Sequence, residues 1–390
     1  MDLIRNPFAP GAGSTPPDLA GRDAILDEAH VNIQRAILGR STRPQMLLGL
    51  RGVGKTVLLN KIESLAENAG HLTSMIEAPD GKQLAELLLP KISQVLRKLS
   101  LIDATKQKVR AAYSALISFA STFKISYGDA SISVEPEIGI ADSGDLESDL
   151  PELFLRIGEA AKAAGKGWVL LIDEVQYLKE KDLSALIVAL HKINQKQLPI
   201  VFFGAGLPQI AALAGDAKSY AERLFSYCNV GPLTEADAKK AIRQPIESEG
   251  AKIDDEALDE IFFQTKGYPY FLQEWGYQCW KIASDECVLK SDVLNAALQV
   301  QMRLDNGFFK VRFDRLTPKE REYIIAMSTL GPGPSYRSAE VAEVLGESLQ
   351  SLGPCRANII HKGMIYSPSH GDVAFTVPLF SEYLKRKSVT

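Results

Sequence analysis

Gln45–Asn60 reads QMLLGLRGVGKTVLLN. Four apolar or amide residues run straight into Gly49, and Gly49-Leu50-Arg51-Gly52-Val53-Gly54-Lys55-Thr56 fits G-x-x-x-x-G-K-[ST]. An apolar, helix-compatible run (Val57, Leu58, Leu59, Ile62) follows at once. Strand, loop and helix in that order are the context a phosphate loop needs. Its glycines reach backbone angles closed to other residues, so the chain can wrap an anion. Successive N–H groups leading into the helix then point at the phosphates. Lys55 is expected as an exposed loop charge reaching the β- and γ-phosphates, and the Thr56 hydroxyl as a ligand of Mg²⁺. Gly49 and Arg51 to Val57 are the nucleotide-binding residues on this reading.

A second stretch fits the first. Gly167–Leu178, GWVLLIDEVQYL, is a continuous apolar run ending in Asp173-Glu174, as a strand buried on both faces requires. Carboxylates at the C-terminal edge of a parallel strand sit where ligands bind in open α/β sheets. Asp173 is the expected Mg²⁺ partner, and Glu174 is placed to orient and deprotonate an attacking water. Leu198–Gly206, LPIVFFGAG, is another buried strand, expected between the phosphate-loop strand and the Asp173 strand. Phe225–Val230 is expected as a fifth strand.

At 390 residues the chain exceeds one compact core and predicts two or three domains. With 46% hydrophobic residues, 24% charged and a net charge of −4, composition is ordinary globular and no strong field advertises nucleic acid or membrane. No apolar run approaches the ~18 residues that span a bilayer. The opening MDLIRNPFAPG lacks a secretion signal's pattern. Cys228, Cys279, Cys287 and Cys355 are scattered, without C-x-x-C or paired histidines, which fits a reducing cytoplasm.

Residues 1–20, rich in Pro, Gly and Ala, read as an extended arm that could fold over a nucleotide base. Residues 21–232 read as a phosphate-loop α/β core. Within it, Ile125, Tyr127, Ile132 and Val134 alternate around Gly128-Asp129, which predicts an inserted β-hairpin within about 122–149. Residues 233–307 read as helices, with acidic starts at Thr234-Glu235 and Asp254-Asp255. In 308–390, Thr317-Pro318 opens the first of three helices, followed by a hairpin through Ser367–Asp372; this is the winged-helix pattern. From Lys310 onward, eleven Lys and Arg stand against eight Asp and Glu, a thin excess for a phosphate-neutralising face. If this module reads DNA, Arg356, Asn358, His361 and Lys362 on the third helix are the residues placed to do so. The alternative is a structural lever packed on the core.

From about Leu19 to Asn306 the chain resembles AAA+/STAND-type ATPases, in the branch joining archaeal-type ATPases with origin-recognition-like initiators. The resemblance rests on LAGRD (Leu19 to Asp23), GLRGVGKT, LLIDEVQYL, SYAERLF (Ser219 to Phe225) and GYPYFLQEWG (Gly267 to Gly276). It implies that Arg22 contacts the base, that Gly267 and Pro269 in a helical lid lie near the nucleotide, and that Arg223 is a finger for a neighbour's γ-phosphate. Two departures stand out. Gly204-Ala205-Gly206 offers no polar sensor side chain, and Tyr270 falls where a lid arginine is expected. The resemblance therefore implies ATP and Mg²⁺ as ligands, an ATP-dependent homo-oligomer, and slow turnover suited to a switch. Its partner is either duplex DNA or, in a signalling or defence role, a protein.

Overall fold

The computed structural model describes residues 1–388 apart from 12, 14, 15, 18, 80, 103, 104, 126–134, 137 and 138. The residues on which the β-hairpin expectation rests lie largely outside those described. The chain divides into two compact units: Arg22–Gly49 with Lys55–Val230, and Met1–Gly21 with Leu50–Gly54 and Gly231–Thr390.

The first unit follows the pattern α1 (Asp23–Ile37), β1 (Gln45–Leu48), α2 (Lys55–Asn68), β2 (Leu72–Glu77), α3 (Leu84–Ser100), α4 (Lys106–Thr122), α5 (Leu146–Ala163) and β3 (Trp168–Asp173). It continues through α6 (Glu180–Gln195), β4 (Ile200–Gly206), α7 (Ile210–Ala217), α8 (Ala221–Leu224) and β5 (Ser226–Asn229). The strands form one parallel sheet in the order β2-β3-β4-β1-β5. As the sequence predicts, β4 lies between the phosphate-loop strand and the Asp173 strand. Every residue of β1, β3 and β4 is buried, because helices cover both faces of a parallel sheet. That is why these strands read as unbroken apolar runs. Packing is close enough to demand glycine: a Cβ on Gly204 would lie 2.5 Å from Met46 Sδ, and one on Gly158 of α5 would lie 2.8 Å from Leu198.

The second unit contains α9 (Glu235–Ser248), β6 (Lys252–Ile253), α10 (Asp255–Thr265), α11 (Pro269–Ile282), β7 (Cys287–Val288) and α12 (Lys290–Arg303). Thr234 and Asp254 cap α9 and α10 by accepting from the Asp237 and Ala257 N–H groups, which satisfies donors that the first helical turn leaves open. The short parallel pair β6–β7 is too brief to leave a periodic signal, and both strands fall in the connections between the predicted helices.

After α12 the helix continues as a wider π-helical turn, Leu304–Phe309, into α13 (Lys310–Asp314). Two adjacent aromatic residues occupy that turn. Phe308 stacks on Tyr270 at 4.5 Å, while Phe309 stacks on Tyr383 at 5.3 Å. The chain then forms α14 (Pro318–Thr329), β8 (Tyr336–Arg337), α15 (Ser338–Leu345), α16 (Leu349–His361), β9 (Ile365–Tyr366), β10 (Asp372–Phe375) and α17 (Phe380–Ser388). Thr317 caps α14 in a box with Glu320, as its Thr-Pro start predicts. The strands pair antiparallel in the order β8-β10-β9.

The start of the N-terminal arm is anchored by its side chains and backbone. Asn6 Nδ2 donates to Tyr277 O and Trp280 Nε1 donates to Asp2 O. Phe8 is buried against Gly276, where an added Cβ would fall 2.7 Å from its ring. These contacts run to α11. We expect Phe8→Ala to cost about 3 kcal/mol or more in denaturant unfolding, the range for emptying a buried aromatic site, and Gly276→Val to be at least as damaging.

Candidate functional site

The loop after β1 carries positive φ at Gly52 (+85°) and Gly54 (+94°), angles that favour glycine. Its first residue is fixed to the sheet, because Gly49 N–H donates to Gly206 O at 3.0 Å. Lys55 opens α2, and its Nζ donates to Gly49 O at 2.9 Å. This corrects the expectation of an exposed charge: Lys55 is 7% exposed. The ammonium lies along its own loop, with the carbonyl satisfying a donor that burial would otherwise strand.

At the end of β3, Asp173 is 4% exposed. Thr56 Oγ1 donates to its Oδ2 at 2.5 Å, and the Glu174 N–H donates to its Oδ1 at 2.8 Å. Burial pushes the Asp173 carboxyl above the usual carboxylate range, and these two hydrogen bonds pull the other way. A hydroxyl and a carboxylate this close form an oxygen pair that a hard divalent cation takes, so the residues fit Mg²⁺.

Glu174 is in the left-handed conformation, φ +54° and ψ +40°, a strained choice for a side chain of this size and one that clusters at functional sites. Gln176 Nε2 donates to Glu174 Oε2, and Gln176 Oε1 accepts from the Leu207 N–H at 3.1 Å. Gln176 is not among the residues the sequence predicts for the site, and no local pattern marks it, because its partner Leu207 lies thirty-one positions away.

The segment Leu50–Gly54 is bonded within the second unit. The Arg51 N–H donates to Thr376 O at 3.1 Å, the Tyr270 N–H donates to Gly52 O at 3.2 Å, and the Tyr268 hydroxyl donates to Arg51 O. A Cβ on Gly52 would come within 3.1 Å of Tyr268 and 3.2 Å of Tyr270. Burial holds the Tyr268 phenol well above the usual range, so it remains a donor. Arg312 lies over the Phe308 ring at 4.0 Å and donates to Phe308 O at 2.6 Å. Burial and then the like charge of Arg51 push Arg312 below the usual range.

Pro269 falls between Tyr268 and Tyr270, the two residues that bond the loop at Arg51 and Gly52. Arg22 is buried immediately before α1. Gly267 has φ +72°, its carbonyl accepting from the Leu233 N–H at 2.8 Å, and Pro269 is the first residue of α11. Arg223 is exposed in α8 and lines an open cleft with Arg43, His191, Asn194 and Tyr220. Ser226 pairs with Gln45 at the start of β1, so Arg223 lies at the strand edge opposite the one that carries Gly49 and Asp173. On α16, Arg356 Nη1 donates to Ser338 Oγ at 3.1 Å, and Lys362 Nζ pairs with Glu320 Oε2 at 2.6 Å. Asn358 is exposed.

All four cysteines are free, and no cluster of metal-binding side chains occurs among the described residues. Among the described residues, no helix is long and apolar enough to cross a membrane.

Residues 18–203 match the family model described as an AAA ATPase domain, and residues 306–384 match one described as a domain of unknown function, DUF8462. No curated protein matches the chain. Among solved structures, the Walker-type ATPase PABY2304 of Pyrococcus abyssi is similar at 15% identity and TM-score 0.55, over 94% of this chain and 96% of that one. The Orc1 protein of Aeropyrum pernix in complex with DNA (14% identity, TM-score 0.47, 98% and 96% covered) is also similar. So is the RuvB Holliday junction branch migration motor of Thermotoga maritima (14%, 0.47, 95% and 98%). The five-stranded parallel sheet with its flanking helices is the AAA+ phosphate-loop ATPase fold.

Lys362 supplies a test of what α16 does. Glu320 is 3% exposed; burial works to raise its carboxyl, but the bond from Lys362 and the Thr317 N–H hold it below the usual range. Its folded value is depressed, so its contribution is present above the unfolded value and is lost as pH falls through the lower folded one. Lys362→Ala, which leaves that carboxylate without its cation, should destabilise the protein by about 1–3 kcal/mol at neutral pH. The loss should shrink toward pH 3 in urea titrations.

Proposed function

We propose that the chain is a slow nucleotide-dependent switch that binds Mg·ATP at Gly49–Val57, hydrolyses it, and uses its state to govern assembly. The observation that carries this reading is the Arg51 N–H bonded to Thr376 O. Phosphate-loop backbone is thereby wired into the C-terminal module, whose elements α14 to α17 with β8 to β10 we read as a winged helix. A change in loop conformation on nucleotide binding is felt at Thr376.

Each chain group has a task on this reading. The loop N–H groups and Lys55 hold the phosphates, Thr56 and Asp173 hold Mg²⁺, and Glu174 takes the proton of the attacking water. The metal supplies charge neutralisation at the transferring phosphoryl. Arg22, Gly267 and Pro269 border the nucleotide.

Arg223 acts in trans. Its place at the opposite strand edge is the one from which a homo-oligomer would present it to a neighbour's phosphate. Without it, a lone protomer turns over slowly, since electrostatic stabilisation is the dominant catalytic contribution.

A second reading concerns the partner. DNA binding through Arg356, Asn358 and Lys362 accords with the excess of basic residues in the module. The internal partners of Arg356 and Lys362 favour instead a structural winged helix and a protein partner. ATP turnover stimulated by duplex DNA at low salt would decide for DNA.

Two measurements test the core reading. Lys55→Ala should abolish tight binding of a fluorescent ATP analogue, whereas Glu174→Gln should bind ATP and leave it uncleaved. Wild-type affinity in the first, or wild-type phosphate release in the second, sinks the assignment. For the finger, ATPase rate per subunit should rise with protein concentration, since an arginine in trans can contribute ~10³–10⁵-fold, and Arg223→Ala should erase that rise. Glu174→Gln protomers should rescue Arg223→Ala protomers on mixing; an inactive mixture of subunits that still assemble would assign the finger elsewhere.

A further inference from the structure

Glu174 carries the reaction on the reading above, and it occupies a backbone conformation that disfavours its side chain. Something must hold it there. Gln176, in the turn Val175–Tyr177, contacts it directly: its amide nitrogen donates to Glu174 Oε2 and its amide oxygen accepts from the Leu207 N–H at 3.1 Å. Both ends of the amide are therefore used, which fixes its rotation.

The other side of this contact is built to accept it. Gly206 is the last residue of β4, and a Cβ there would run into Gln176 Oε1 and the Ile210 side chain. No side chain, polar or otherwise, can occupy that strand end while Gln176 is in place. Gly206 O in turn accepts from the Gly49 N–H at 3.0 Å. A continuous run of bonded groups thus leads from the first loop residue through β4 and Gln176 to the Glu174 carboxylate.

We propose that Gln176 is the positioning residue for Glu174, supplying from the turn after β3 the polar contact that the end of β4 lacks. One carboxylate oxygen is pinned by the amide, so the plane of the group is set. A base within hydrogen-bond reach of water but free to rotate would spend much of its time misaligned, and displacement of about 1 Å can cost ~10²-fold. The chain Gly49–Gly206–Leu207–Gln176 also makes that alignment depend on the register of the loop itself.

This inference rests on Glu174 being the base, and the experiment separates the two. Fluorescent-ATP affinity and single-turnover cleavage, with protein in excess, are measured for wild type, Gln176→Leu, Gln176→Glu, Glu174→Gln and the double variant Glu174→Gln with Gln176→Leu. Gln176→Leu should keep its affinity within about twofold and lose between about 10- and 100-fold in cleavage rate. Gln176→Glu keeps the length and the acceptor for Leu207 but not the donor, so it should lose activity while preserving the fold. The double variant should be no slower than Glu174→Gln alone, because a residue acting through another adds nothing once that other is removed. Wild-type cleavage in both Gln176 variants overturns the inference, as does a loss that multiplies with Glu174→Gln or a parallel fall in affinity. If Glu174→Gln itself cleaves at the wild-type rate, the base assignment has failed, and the inference with it.

Discussion

A buried carboxylate governs the architecture of the first unit. Asp173 is 4% exposed at the end of β3, with Thr56 from α2 and the next backbone N–H on its two oxygens. Burying such a group is costly unless it is hydrogen-bonded or joined by a cation. The sheet order brings α2 and β3 to the same edge, with β4 between β1 and β3. The phosphate loop, the Asp173–Glu174 pair and the glycine-rich end of β4 are consequences of one requirement: the C-terminal edge must be crowded with oxygen donors and free of bulk.

The same requirement explains what was legible in the sequence. Unbroken apolar strands, the G-x-x-x-x-G-K-T loop and a strand ending in Asp-Glu are local patterns with a direct physical cause, and β1, β3 and β4 fall where they predict. Helix starts at Thr234, Asp254 and Thr317 were readable because capping is also local. Gln176 was not, since its significance depends on Leu207, thirty-one positions away. Nor was the burial of Lys55, which follows from the fold of its own loop onto Gly49 O rather than from residue type. Thr376 bonding to Arg51 is a contact between residues far apart in sequence that share no pattern. The DNA-facing expectation for Lys362 used charge and helix position alone, and the buried Glu320 beneath it leaves no periodic trace.

In the second unit a run of aromatic rings joins α11, the π-helical turn and α17. Tyr270, Phe308, Phe309, Phe380 and Tyr383 form successive stacked pairs, each contributing about 0.5–1.5 kcal/mol beyond area burial. Such contacts have defined geometries and tolerate little sliding, which suits a module bonded to the loop backbone at Arg51 and Gly52.

The π-helical turn Leu304–Phe309 sets a rule for how this chain can change over generations. Each residue in a helix advances the azimuth by about 100°, and a π turn is in effect one residue accommodated inside a helix. Losing that residue would rotate α13 against α12 and exchange the faces on which Phe308 and Phe309 lie, setting the wrong ring toward Tyr270. Along this stretch descendants can vary side chains freely where they are exposed, as at Val311. Its length, by contrast, is quantised: a single-residue insertion or deletion is felt as a rotation of everything downstream.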